Sequence, residues 1–188
     1  MPFQEPDLPA VERAVIDLLV EQEVAALATL SQDGYPSASA MHIAADRFTV
    51  YVNTFIHHRK YAEMLADPRV SYVASHLPSG GFSDRRQIRS VQVRGRAALV
   101  TEPAELARAV EVSREQFPWL RDTGMYNHVT VPSEQPRQVF FRIDQVEAVW
   151  ADHRVHPLWR VILTFTADGR QVARMRPYPK PVAAALRA

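Results

Sequence analysis

The sequence of 188 residues contains no cysteine. That excludes a disulfide framework, a thiolate zinc site, an iron–sulfur cluster and a cysteine nucleophile. Glycine is scarce, at six residues against fourteen prolines. Neither G-x-G-x-x-G nor G-x-x-x-x-G-K-[ST] occurs, so the loops with which common nucleotide folds cradle phosphate are missing. Net charge is nearly absent as well: 22 Lys and Arg against 21 Asp and Glu leave +1, which offers no field for capturing nucleic acid. There is no G-x-S-x-G elbow, no diagnostic carboxylate pair and no H-E-x-x-H, so neither a hydrolase centre nor a metal site is expected. With no run of about 18 apolar residues and no charged-then-apolar leader, the expectation is a cytoplasmic protein without a membrane or nucleic-acid partner.

The composition that remains, 47% apolar and 23% charged, is that of a globular chain. Its length fits one domain over 1–188. Charge is uneven: Glu5, Asp7, Glu12, Asp17, Glu21 and Glu23 crowd the start, while Arg170, Arg174, Arg176, Lys180 and Arg187 crowd the end. These are either two solvated faces or partners for each other, for a second subunit, or for an anionic ligand.

Leu8, Val11, Val15, Leu18 and Leu19 recur at helical spacing behind an Asp7 cap. Val24–Leu30, Ser37–Ile43 and Phe48–Thr54, with a turn at 31–34, read as an antiparallel meander. His57–Ala66 reads as a helix stopped by Asp67-Pro68, and Val70–Ala74 as a strand. Ser75–Gln87 reads as a loop, and Ile88–Val100 as a long strand whose Gly95 marks a bulge or a close backbone approach. A helix from about Pro103 to Phe117 precedes a proline-bearing loop over 118–137. Val139–Trp150, Leu158–Thr166 and Gln171–Arg176 are strands. Meandering strands without βαβ alternation predict an α+β protein, a small antiparallel barrel with helical additions.

Three clusters are candidates for chemistry. Thr54 followed by His58-Arg59-Lys60 sets cations at a helix N-terminus, which is already a positive pole; the combination suits an anion such as phosphate, or is a solvated basic turn. His153-Arg154-Val155-His156 offers a guanidinium fork and imidazoles to an anionic substrate, or is a polar turn between strands. On Ile88–Gly95, alternation puts Ser90, Gln92 and Arg94 on one face, where the Gln92 amide faces a heterocycle or solvent. Trp150 and Trp159 flank the second cluster as core, interface or stacking residues.

Taken together these segments resemble the flavin-binding split barrels of the pyridoxamine 5'-phosphate oxidase superfamily. The resemblance rests on Ala28-Thr29-Leu30 with Asp33-Gly34-Tyr35-Pro36, on Val50–Thr54, on Arg59-Lys60 and on Asp67-Pro68-Arg69-Val70-Ser71. It continues through Val91–Ala97, Phe141-Arg142-Ile143 with Gln145-Val146-Glu147, His153–His156 and Arg174–Pro177. It implies a homodimeric, PNPOx-like split β-barrel with its core at 24–178, a first helix within 1–23 and a tail at 179–188. It also implies FMN as cofactor, oxidoreductase activity and a small anionic substrate. By that likeness Thr54, Arg59 and Lys60 hold the flavin phosphate and His58 takes a serine's place beside them. Ser39, Met41, Asn53, Gln92 and Trp150 complete the cofactor contacts, and Arg154 and His156 contact substrate. No side chain is given a catalytic role, since a bound flavin would carry the chemistry. Where the family's second strand supplies two cations, Ala38–Ile43 supplies none. Two alternatives on the same fold follow: the deazaflavin F420, and a non-enzymatic flavin or haem protein drawing on His42, His76 or His128.

Overall fold

The computed structural model describes residues 4–126, 129 and 136–179. His128, Lys180 and Arg187, named above, lie outside them. In chain order the elements are α1 (Leu8–Glu21), β1 (Val24–Leu30), β2 (Pro36–Asp46), β3 (Thr49–Phe55), α2 (Arg59–Ala66), β4 (Arg69–His76), β5 (Arg89–Leu99), α3 (Pro103–Gln116), β6 (Gln138–Asp152), β7 (Arg160–Phe165) and β8 (Val172–Pro177). The segments read as loops each hold a short 3-10 turn, at Gly81–Gln87 and Pro118–Leu120.

All strands pair antiparallel in the order β3-β2-β1-β4-β5-β6-β7-β8, and β3 also pairs β6. The second pairing closes β1 to β6 into a six-stranded barrel, the α+β split barrel expected, with β7 and β8 as an extension. The interior is filled from alternate positions: Leu27 on β1, Ile43 on β2, Val50 and Val52 on β3, Val91 and Val93 on β5, Phe141 and Ile143 on β6. Helix α1 adds Val11, Val15, Leu18 and Leu19 to this core. Its start is fixed by Asp7, whose carboxylate accepts from the Ala10 N–H at 2.9 Å.

The opposite parity of β2, β3 and β6 is apolar too, which explains why these strands read as near-continuous hydrophobic runs. Ala44, Tyr51 and Phe140 point outward into a second core, built with Ala109, Val110 and Val112 of α3 and with Phe117, Leu120 and Tyr126 beyond it. The outer face of the other wall differs. Val24 and Ala26 on β1, Ala38 and Ala40 on β2, and Ser71 and Val73 on β4 are exposed, an outer face of small and β-branched side chains.

Gly95 marks both features anticipated for it. Gly95 pairs with Gln145 while Arg94 pairs with Glu147, so Val146 is the extra residue, bulged out of β6. The inward parity of β6 switches there, from Ile143 and Gln145 to Ala148 and Trp150. A Cβ on Gly95 would lie 2.7 Å from Ile143 Cγ2 and 2.8 Å from the Asp144 carbonyl oxygen. Among the described residues no helix is long and apolar enough to cross a membrane. Gly95→Ala is expected to cost about 2 kcal/mol through overpacking at the bulge, measured as a lowered urea midpoint with an unchanged slope.

Candidate functional site

The barrel's closure sets the end of β3 beside the start of β6. Thr54 pairs Val139 and Phe55 pairs Gln138. The Asn53 amide donates to the Val139 carbonyl at 3.1 Å, and the Gln138 amide donates to Asn53 Oδ1. The chain leaves this corner through Ile56 and His57 and enters α2 at once. His58 holds the N-cap position in extended geometry, but its side chain caps no backbone N–H. The first turn of α2 thus presents unsatisfied donors and the positive end of the helix.

Two adjoining hollows open here. One, of about 370 Å³, is lined by Ser39, His57, His58, Arg59, Lys60 and Glu63. The other, of about 450 Å³, takes in Met41, His42, Asn53, Thr54, Phe55 and Gln138, and its far wall is Phe117, Trp119, Leu120, Met125 and Tyr126. His58 and Lys60 line both. One hollow is therefore cationic and polar and the other aromatic, and the two meet at a lysine with no acidic partner among the described residues.

Local contacts fix these side chains. Thr54 is buried, and its hydroxyl lies 3.4 Å from His58 Nδ1. The His58 ring stands edge-on to Phe55 and His57, with centroids 5.3 Å and 4.6 Å away. Desolvation, and then the charges of Lys60 and His57, push its pKa below the ordinary histidine value. The shift favours the neutral imidazole, whose two ring nitrogens can donate and accept. Arg59 Nε bonds Glu63 Oε1 at 3.0 Å.

The aromatic wall depends on a residue that sequence reasoning missed. Gln116, the last residue of α3, shares the two protons of its Nε2 among the carbonyls of Leu19, Gln22 and Ile43, each at 3.0 Å, and accepts from the Ala45 N–H at 2.8 Å. One side chain thus ties α3 to α1 and β2, and holds Phe117 and Trp119 at 5.5 Å and 6.0 Å from the His42 ring. The loop reading of 118–137 carried no periodic signal for this wall. An isolated glutamine at a helix end carries none either.

Ser39, Met41, Asn53, Thr54, His58, Arg59 and Lys60 are thus brought together. The remaining candidates are not. Trp150 is 1% exposed within the barrel core, where the parity switch in β6 has turned it inward. Gln92 is exposed on the outer face of β5, in the row Ala40–Ala26–Val73–Gln92 across four strands. Arg154 and His156 follow the far end of β6, a strand of 15 residues that spans roughly 45 Å when extended. There Arg154 is gripped by Asp152, with Nε and Nη2 at 2.9 Å and 2.6 Å from its two carboxylate oxygens, and this pairing raises the guanidinium pKa. His156 Nδ1 lies 2.9 Å from the Pro157 carbonyl oxygen. Of the spare histidines, His76 is paired with Glu21 at 2.9 Å, and His42 is exposed at the aromatic wall. Arg174 and Arg176 lie on β8, at the end of the sheet order, and Arg176 pairs Glu147 at 3.3 Å.

The pyridoxamine 5'-phosphate oxidase family model matches residues 11–150. No curated protein matches the chain. Among solved structures, the conserved hypothetical protein Rv2991 of Mycobacterium tuberculosis is similar at 22% identity and a TM-score of 0.63, with 82% of this chain and 90% of that one covered. A heme binding protein of Mycobacterium smegmatis is similar at 16% identity and a TM-score of 0.63, covering 93% of this chain and 59% of that one. ChuZ of Campylobacter jejuni is similar at 11% identity and a TM-score of 0.67, covering 94% and 68%. At these identities the structural likeness establishes the fold.

Gln116→Ala is expected to lower stability by about 2 kcal/mol, because it orphans carbonyls at the end of α1 and a carbonyl and an N–H on β2. Chemical denaturation measures the loss, and Trp119 fluorescence is expected to shift to the red as the wall loosens.

Proposed function

The chain belongs to the pyridoxamine 5'-phosphate oxidase family, and from that premise we propose that it is an FMN-dependent oxidoreductase acting on a small anionic substrate. The observation that carries this reading is the joining of a cationic hollow to an aromatic one through His58 and Lys60. FMN has the same two halves, a phosphate monoester and a flat heterocycle. The donor set also fits: two cations, hydroxyls and a helix N-terminus for the phosphate, amides and apolar walls for the ring.

In this reading Arg59, Lys60, Thr54, Ser39 and His58 hold the phosphate. Met41 and Asn53 border the ring, and the Gln138 amide offers a further hydrogen bond to its edge. When bound, the flavin supplies two-electron chemistry; the chain binds it, orients it and excludes water from it. Phe117, Trp119 and Tyr126 do the excluding.

The second copy implied by the fold family enters at the exposed wall of β1, β2 and β4. Exposed small residues on β1, β2 and β4 let another sheet approach closely, and no described element covers them. Gln92 lies in that wall, so in a homodimer it reaches a site from the partner's side. Arg154 and His156, at the opposite end of β6 from the hollows, likewise contact substrate at the partner's site rather than at their own.

A second reading, haem in place of flavin, has one observation in its favour: the exposed His42 imidazole at the mouth of the aromatic hollow. For F420, the other alternative, Arg174 and Arg176 of β8 are not among the residues lining the two hollows.

Titration with FMN, followed by quenching of flavin fluorescence, tests the division of roles. A charge-assisted phosphate contact is worth roughly 1.5–3 kcal/mol, so Lys60→Ala is expected to weaken binding at least about tenfold. Arg154→Ala is expected to retain flavin and lose substrate recognition. Equal loss of flavin in both variants would contradict the assignment, as would a Soret band abolished by His42→Ala.

A further inference from the structure

Glu63 is out of place on electrostatic grounds. It lines the cationic hollow at 3% exposure, and a carboxylate there repels the very phosphate that the hollow is suited to bind. Its burial is compensated by donors from three elements. The Thr29 hydroxyl of β1 donates at 2.6 Å, the Ser37 hydroxyl of β2 at 3.4 Å, and Arg59 Nε of α2 at 3.0 Å. The first two hold the carboxylate and the third uses it. Arg59 is otherwise free to wander, since its side chain is 74% exposed. A long flexible arginine loses considerable rotamer freedom when it must grip a ligand.

We infer that Glu63 is a positioning residue for the phosphate anchor: it takes the Nε edge of Arg59 and leaves both Nη groups directed to the ligand. The inference rests on the phosphate-anchor reading given above and adds a specific role to it. A buried carboxylate locked by Thr29 and Ser37 converts an exposed, mobile guanidinium into a preorganised fork. The arrangement works because arginine has two usable edges, one for the carboxylate and one for the phosphate. Lysine, with a single ammonium, has no second edge.

Coulombic repulsion and positioning predict opposite signs, which makes the role testable. If Glu63 acts only through its charge, Glu63→Gln removes a repulsion and FMN binds more tightly. If it positions Arg59, Glu63→Gln weakens FMN binding about three- to tenfold, the cost of ordering one freed side chain. That weakening must also vanish, or reverse to a slight gain, when Glu63→Gln is made in the Arg59→Ala background. A role confined to holding the fold would give the same weakening in both backgrounds. Arg59→Lys is a second test on an exposed residue that leaves the core intact: it is expected to lose nearly as much affinity as Arg59→Ala, despite keeping the charge.

The experiment is FMN titration of the wild type, the single variants and the double variant. Weakening that depends on Arg59, with no rescue by lysine, supports the inference. Unchanged or tighter binding by Glu63→Gln, equal weakening in both backgrounds, or full rescue by Arg59→Lys overturns it while leaving the anchor reading intact. A wild-type protein that does not bind FMN overturns both.

Discussion

The pairing of β3 with β6 turns an eight-stranded sheet into a barrel, and the candidate site is a product of that closure. Six consecutive residue pairs, from Val50 with Ile143 to Phe55 with Gln138, make the seam. It buries Val50, Val52, Phe141 and Ile143 inside, and Tyr51 and Phe140 outside under α3. The same seam brings Asn53, Thr54 and Gln138 to one corner, from which α2 departs with its N–H groups uncovered. Register therefore has a chemical consequence here. A slip of one residue would turn Thr54 away from His58 and face the wrong side chains toward the helix.

Around that corner, charge is arranged locally and cancels over the chain. A net charge of +1 and six glycines are poor credentials for binding a phosphorylated ligand. Yet a strand–helix junction needs no glycine-rich loop when side chains supply the donors. Arg59 and Lys60 add charge to a helix pole, Glu63 takes back part of it, and the His58 imidazole, its pKa lowered by its surroundings, adds ring nitrogens for hydrogen bonds. The far end of β6 follows the same pattern, with Arg154 on Asp152 and Glu21 shared between His76 and Arg89.

Most residues of the proposed phosphate anchor stand out in the sequence because they are close together in it. Thr54 and His58-Arg59-Lys60 lie within one strand end and one helix start, so local rules of alternation and helix polarity suffice. The strands were legible for the same reason. Most of the aromatic wall was not: Phe117 shares the apolar side of α3 with Leu106, Ala109 and Val110, but Trp119 and Tyr126 follow without a period, and the Gln116 hydrogen bonds, to residues more than 70 positions away, help to fix where they stand. The burial of Trp150 was hidden by one bulged residue, Val146, which reverses the parity of everything after it in β6. Glu63 looked like an ordinary helical position, because its donors Thr29 and Ser37 come from strands that only the tertiary fold brings near.

The central claim is that the junction of β3 and α2 anchors a flavin phosphate while the wall beyond it encloses the ring. The absorbance spectrum of the protein, recorded as purified or after incubation with FMN and gel filtration, before and after denaturation, tests this most directly. The expected result is structured flavin absorption that becomes that of free FMN on unfolding, in about one equivalent per chain. A colourless protein that retains no FMN, or a chromophore with the bands of haem, would contradict it.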